Sequence, residues 1–349
     1  MVARMKLFTC DHCHQTLYFE NNRCVSCGET VAYRPETAQL GTLRTGDRLC
    51  RNALEHDACN WVVSSPDAEY CKSCELSSVI PDLSDAANEQ AWRRIEAAKR
   101  RLLYTLHALK LPVDGLSFRF LKGTEEEPVM TGHDHGVITL NVDEADFAFR
   151  ENMREKMGEG YRTVLGHLRH EIGHYYWDVL IANSPLLEKF RELFGDESAS
   201  YEAALERHYA SGPPANWNET FISAYASMHP WEDWAETWAH YLHMVDTLET
   251  AKSHGLTVKL PAAEKPERIA TDRLAFFDFE SLRASWNAVT LALNSLNRSM
   301  GMKDAYPFVL TAPVLEKLRF VHELVGEKGV RFIYSRENSP ATPPSAAVA

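Results

Sequence analysis

The sequence predicts an α+β protein: a small cysteine-built module at the N-terminus, then a mostly helical domain with a small β-sheet. Three observations carry this. All eight cysteines fall between Cys10 and Cys74. Residues 161–182, YRTVLGHLRHEIGHYYWDVLIA, place apolar side chains at the helical period. Residues 216–250 do so again, with tryptophans on one side and alanines interleaved with glutamates on the other. The expected division is 1–80, 82–334, and a Pro/Ser/Ala-rich tail, 335–349, expected to be disordered.

Composition narrows the class. A chain of 349 residues that is 45% hydrophobic and 10% aromatic can bury a substantial core. Its net charge of −12 argues against nucleic acid or an anionic membrane as the main partner. No apolar run is long enough to span a bilayer. MVARMKLFTC has basic residues but no hydrophobic stretch before the cysteines begin, so a secretory signal is not expected and the cytoplasm is the default. Clustered thiols in a reducing compartment point to metal rather than disulfides.

The first module holds two thiol sets. Cys10-x2-Cys13 and Cys24-x2-Cys27 are a pair of knuckles that can close a tetrahedron around one ion, with Leu17-Tyr18-Phe19 between them as a hairpin strand. This is the spacing of a zinc ribbon. Cys50, Cys59, Cys71 and Cys74 contain a single C-x-x-C; a second tetrathiolate ion would gather loops around Trp61-Val62-Val63, with His56 or His12 as alternative ligands. Four thiolates leave no open position, so both sites are expected to be structural, with zinc or iron as the ion. Residues 1–80 carry eight lysines and arginines against ten acids, so the module lacks a basic patch; a protein partner suits it better than nucleic acid.

Ile80–Ser84 reads as the hinge. Ser84 or Asp85 caps a helix running to about Lys110, with Trp92, Ile95, Leu102, Leu103, Leu106 and Leu109 inward. Residues 116–121 and 136–142 read as strands, the second as an edge against which an extended peptide could lie. His133 and His135 precede it as loop residues near the cleft. Residues 143–160 read as a polar stretch.

In the helix of residues 161–182, Tyr161, Val164, Leu165, Leu168, Ile172, Tyr175 and Val179 form the core face. His167, His170, Glu171, His174 and Asp178 form the other. His170 and His174 are one turn apart and can share an ion, while Glu171 can take a proton from a water on it. Leu186–Phe194 and Ser198–Ala210 are expected helices. From Trp231 onward, one helical face collects Glu232, Ala235, Glu236, Ala239 and His243, and the other Trp234, Trp238, Tyr241 and Val245. Glu232 and Glu236 are one turn apart, so one of them supplies the missing third ligand. We take Glu232, with Glu236 accepting the ring N–H of a metal-bound histidine; the reverse assignment and His240 or His243 are the alternatives. Asp233 points away. Tyr225 and His229 are candidates for steadying an oxyanion. Residues 272–300 read as an amphipathic helix with Phe276, Phe277, Phe279, Leu282, Trp286, Leu291, Leu293 and Leu296 in the core, and residues 312–325 as another.

Together CDHC…CVSCG, CNWVV…YCKSCELSSVIPDLS, LRHEIGHYYWDVLI, HPWEDWAETWAHYLHM and DAYPFVLTAPVLEKLRFVH resemble a bacterial family of zinc-binding metallopeptidases with an N-terminal zinc-ribbon region. The resemblance spans nearly the whole chain and implies a zincin-like domain. Glu232-x-x-Ala235 is similar to the glutamate helix of gluzincin peptidases, where that Glu is the third ligand; their usual supporting Asp four residues on is Glu236 here. Tyr225, seven residues before Glu232, resembles the oxyanion tyrosine of lethal-factor-like peptidases. The expectation is hydrolysis of a peptide or protein by a zinc-activated water with Glu171 as base, one catalytic zinc and one or two structural ions. The alternative is a non-catalytic, zinc-stabilised interaction protein that keeps a vestigial site.

Overall fold

The computed structural model of the chain describes residues 7–124, 126–157, 162–259, 267–268 and 278–326. Tyr161, Phe276, Phe277 and the tail 335–349 lie outside them.

The cysteine-rich segment is two hairpins and a short helix. β1 (Leu7–Thr9) pairs antiparallel with β2 (Thr16–Tyr18), and β3 (Val31–Arg34) with β4 (Gln39–Thr42). α1 (Arg51–His56) follows. Trp61 and Val62 bridge to Tyr33 and Leu49, and the Tyr33 ring lies 4.9 Å from Trp61 and 5.0 Å from Phe19. These rings and the buried thiols make up the interior of the module.

β5 (Ser77–Val79) lies in the last residues of that segment, yet it belongs to the sheet of the second half. α2 (Ala86–Ala108) follows, its first turn capped by Asp85, which accepts from the Ala87 N–H at 2.8 Å. Trp92, Ile95, Leu102, Leu103, Leu106 and Leu109 are all buried. α2 also carries the cysteine module. Arg100 donates to the Ala58 carbonyl, Arg101 pairs with Glu20, and the Tyr104 ring sits 5.1 Å from Phe19. Beside β5, Lys99 and Glu96 form a fully buried ion pair that also reaches Ser77.

β6 (Ser117–Leu121), β7 (Gly132–Asp134) and β8 (Val137–Asn141) complete the sheet in the order β5-β6-β8-β7. β5, β6 and β8 run parallel and β7 antiparallel. The expectation that residues 136–142 form an edge is therefore corrected: β8 is interior and β7 is the edge. His133, expected in a loop, lies on that strand. The hairpin turns at His135 and Gly136, both at positive φ (44° and 84°), as a two-residue turn with this twist requires. Gly136 has no room for a side chain, since a Cβ would meet the Gly115 carbonyl at 2.6 Å.

The rest is helical: α3 (Phe147–Met157), α4 (Val164–Leu180), α5 (Leu187–Phe194), α6 (Tyr201–Ser211) and α7 (Pro230–Ser253). A two-stranded pair, β9 (Thr257–Val258) and β10 (Glu267–Arg268), precedes α8 (Phe279–Ser299) and α9 (Ala312–Val325). No described helix is long and apolar enough to cross a membrane. In α8, Phe279, Leu282 and Trp286 are buried as expected, but Leu291 and Leu296 are exposed; at 100° per residue they lie about 140° and 80° around the helix from Trp286, off its buried face.

α4 and α7 form the centre of this domain. They pack closely at Gly173 and Ala235, where a Cβ on Gly173 would lie 2.9 Å from Ala235 Cα and 3.2 Å from Trp238 Cβ. Two small residues let the backbones nearly touch, and the Trp234 indole then reaches the Gly173 carbonyl at 2.8 Å. Farther along, Arg169 pairs with Asp246, whose other oxygen accepts from Thr105 on α2 at 2.9 Å.

Candidate metal centre

The α4–α7 contact sets the register of the two polar faces. α4 starts at Thr163, whose hydroxyl accepts from the Gly166 N–H at 2.9 Å, so His170 and His174 emerge on the side facing the first turns of α7. α7 starts at Pro230, a residue suited to a helix's first position, with His229 as its cap: one ring nitrogen accepts from the Trp231 N–H at 3.1 Å and the other donates to Ala199 O at 3.0 Å. Both nitrogens of His229 are thus engaged away from the site.

His170, His174 and Glu232 converge, and all three are buried. Glu232 Oε2 lies 3.0 Å from His170 Nε2 and 3.6 Å from His174 Nε2, and the two nitrogens are 3.3 Å apart. Tetrahedral zinc with Zn–N bonds of roughly 2.0–2.1 Å spaces its ligands about 3.3 Å apart. Glu232 Oε2 is buried and accepts no hydrogen bond, the condition of an atom facing a cation. The donor set of two imidazoles and a carboxylate suits zinc.

Glu236 supports the same histidine from behind. Its Oε1 is 2.7 Å from His170 Nδ1, and its Oε2 accepts from the Ser223 hydroxyl at 2.7 Å. Burial disfavours its charge, but the hydrogen bond and charge of His170 outweigh that and lower its pKa to about 2. For His170, burial opposes protonation, while Glu232 and Glu236 overcome it and raise its pKa well above the ordinary value. Glu232 is likewise held ionised against its burial, chiefly by His174 and His170. The pocket favours positive charge between these groups, and a divalent ion can supply it in place of a proton.

Glu171 is not isolated. Its Oε1 lies 3.2 Å from His167 Nε2, and His167 Nδ1 faces Glu144 at 3.5 Å, which itself pairs with Arg162 at 2.8 Å. Burial works against charge throughout this chain of groups, but the mutual pairing prevails: His167 is pushed up to about 9, Glu144 down to about 2, and Glu171 below the usual carboxylate range. Tyr225, on a short turn before α7, places its ring 6.0 Å from that of His170. Trp231 covers His174 at 4.0 Å between ring centroids.

Tyr201 was not legible in advance. From the start of α6 its hydroxyl donates to Glu232 Oε1 at 2.9 Å. The other candidates are engaged elsewhere. Asp233 is buried against Lys317 at 2.6 Å, His240 meets the Tyr306 hydroxyl at 2.8 Å, and His243 packs on Trp286 and Tyr306. His133 lies 6.3 Å from His174, ring to ring, and accepts from the Gly136 N–H at 2.9 Å; His135 is exposed. Asp178 lies 3.9 Å from His133 at the far end of the α4 polar face.

Both thiol sets also converge. Cys10, Cys13, Cys24 and Cys27 form one group and Cys50, Cys59, Cys71 and Cys74 the other. Sulfur atoms lie 3.7 Å apart in Cys10–Cys27, 3.5 Å in Cys13–Cys24 and 3.6 Å in Cys59–Cys71. Zn–S bonds of about 2.3 Å in a tetrahedron give roughly 3.8 Å. No disulfide joins them. His56 instead faces Glu89 at 3.2 Å, and His12 is exposed.

Residues 88–324 match the family profile described as "Putative zinc-binding metallo-peptidase", and residues 7–85 match a zinc-ribbon domain. Uncharacterised proteins of Mycobacterium tuberculosis and Mycobacterium bovis are 46% identical over 337 residues, covering 93% of this chain and 96% of theirs. No solved structure matches the chain significantly.

Proposed function

The chain belongs to the family of zinc-binding metallo-peptidases named by that profile, and from this premise we propose that it hydrolyses peptide bonds at the α4–α7 site. His170, His174 and Glu232 would hold zinc, and Glu171 would be the general base. The reading is carried by one observation: two buried imidazole nitrogens and an otherwise unpartnered carboxylate oxygen face one another at 3.0–3.6 Å, beside a second buried carboxylate.

Zinc bound there would polarise the scissile carbonyl and lower the pKa of a water at its open position. Glu171, kept ionised by His167, accepts the proton of the attacking water and returns it to the departing amine. Glu236 and Ser223 fix the tautomer and tilt of His170. Tyr225 donates to the oxygen on which negative charge develops. The two four-cysteine sets would hold structural zinc and tie together the loops of the module packed on α2. Residues 1–80 and 82–334 are on this reading two modules of one enzyme, with the first also available to a protein partner. Incubating wild type and Glu171→Gln with a mixed-sequence peptide library tests this. Cleavage by the wild type that is abolished in the variant, at equal zinc content, is expected; equal cleavage by both would refute the role of Glu171.

A further inference from the structure

We propose that Tyr201 is a positioning residue for the metal, taking one oxygen of Glu232 so that the other alone is presented to the ion. The inference rests on the site reading above. Tyr201 OH donates to Glu232 Oε1 at 2.9 Å, while Oε2 has no hydrogen-bond partner and faces both histidines. An unrestrained carboxylate can bind through one oxygen or two, or rotate away; one whose second oxygen is already engaged presents a single donor in a fixed direction.

The hydroxyl is itself aimed by its surroundings. The Tyr201 ring packs 5.3 Å from His229 and 6.2 Å from Trp231, the residues flanking the first turn of α7. Ser200 caps α6, and the His229 bond to Ala199 O ties the preceding loop to the same helix end. Ala204 is the one buried residue of α6, and His208, two turns on from Tyr201, places its ring 5.9 Å from that of Tyr225. The two tyrosine hydroxyls divide the work, Tyr201 serving the ligand and Tyr225 the substrate.

The test is zinc affinity, measured by chelator competition on the full chain, for wild type, Tyr201→Phe, Tyr225→Phe and Glu232→Gln, with thermal unfolding of each before and after removal of the weakest-held zinc. Tyr201→Phe is expected to weaken that zinc roughly 10–100-fold, with stability after its removal equal to wild type and Tyr225→Phe within about threefold of wild type. A change in Tyr201→Phe below about threefold, or an equal loss in Tyr225→Phe, or a loss of stability that persists once that zinc is gone, would overturn the proposal. If Glu232→Gln also leaves all zinc in place, the site reading itself fails, and this inference falls with it.

Discussion

Gly173→Ala sets two effects of opposite sign against each other. In an exposed helix the change would stabilise by up to about 1 kcal/mol, because Ala loses less backbone freedom than Gly. Here the new Cβ would lie 2.9 Å from Ala235 Cα and 3.2 Å from both Ala235 O and Trp238 Cβ. Carbon atoms rest at about 3.5–4.0 Å, so α4 and α7 must separate locally by roughly half an ångström. Overpacking on this scale costs about 1–3 kcal/mol, and backbone atoms cannot rotate aside as a flexible side chain could. The net expectation is a loss of about 1–2 kcal/mol in urea unfolding. The same separation draws Glu232 from His170 and His174, where zinc tolerates ligand distances only within about 0.2 Å. Zinc affinity at this site should therefore fall about tenfold, read by chelator competition. A Gly173→Ala protein that is more stable than wild type and binds zinc equally would refute the close-contact argument.

Three further outcomes follow from the same interactions. Glu236→Gln leaves His170 with a weaker partner, so zinc affinity should drop roughly tenfold or more while the fold is retained; unchanged affinity would remove Glu236 from the site. Glu96→Gln leaves Lys99 charged and buried, at a cost of about 3–5 kcal/mol in unfolding experiments; a loss below 1 kcal/mol would show that the Lys99 charge finds another partner. Glu144 has a folded pKa of about 2, below its ordinary 4.5, so its ion pairs stabilise fully above pH 4.5 and lose that effect as pH falls toward 2. The raised pKa of His167 is the same interaction seen from the other partner. The stability gap between wild type and Glu144→Gln should narrow by about 1 kcal/mol between pH 5 and pH 3.5, and a gap constant over that window would contradict the pairing.

What was legible in the sequence had a local signature. α4 and α7 announce themselves through helical periodicity, and the thiol sets through their spacing. The polar faces of both helices were visible because His170, His174, Glu232 and Glu236 fall at one-turn intervals. What was hidden depends on distant partners. Tyr201 is 31 residues from Glu232 and sits on a helix with no informative pattern. The Glu144–His167 pairing joins a turn after β8 to α4. β7 escaped because Gly132–Asp134 is too short to show alternation and its turn uses His at positive φ. Leu291 and Leu296 lie about 140° and 80° around α8 from Trp286 at 100° per residue, so leucine content alone placed in the core two residues that the helical period puts off the buried face.

The most direct test of the metal centre is the zinc content of purified wild type beside His170→Ala. We expect about three zinc ions per chain falling to about two, since removing one of three protein ligands should empty the α4–α7 site and leave both thiolate sites filled. Three ions retained in the variant would contradict the assignment of His170, and with it the catalytic site.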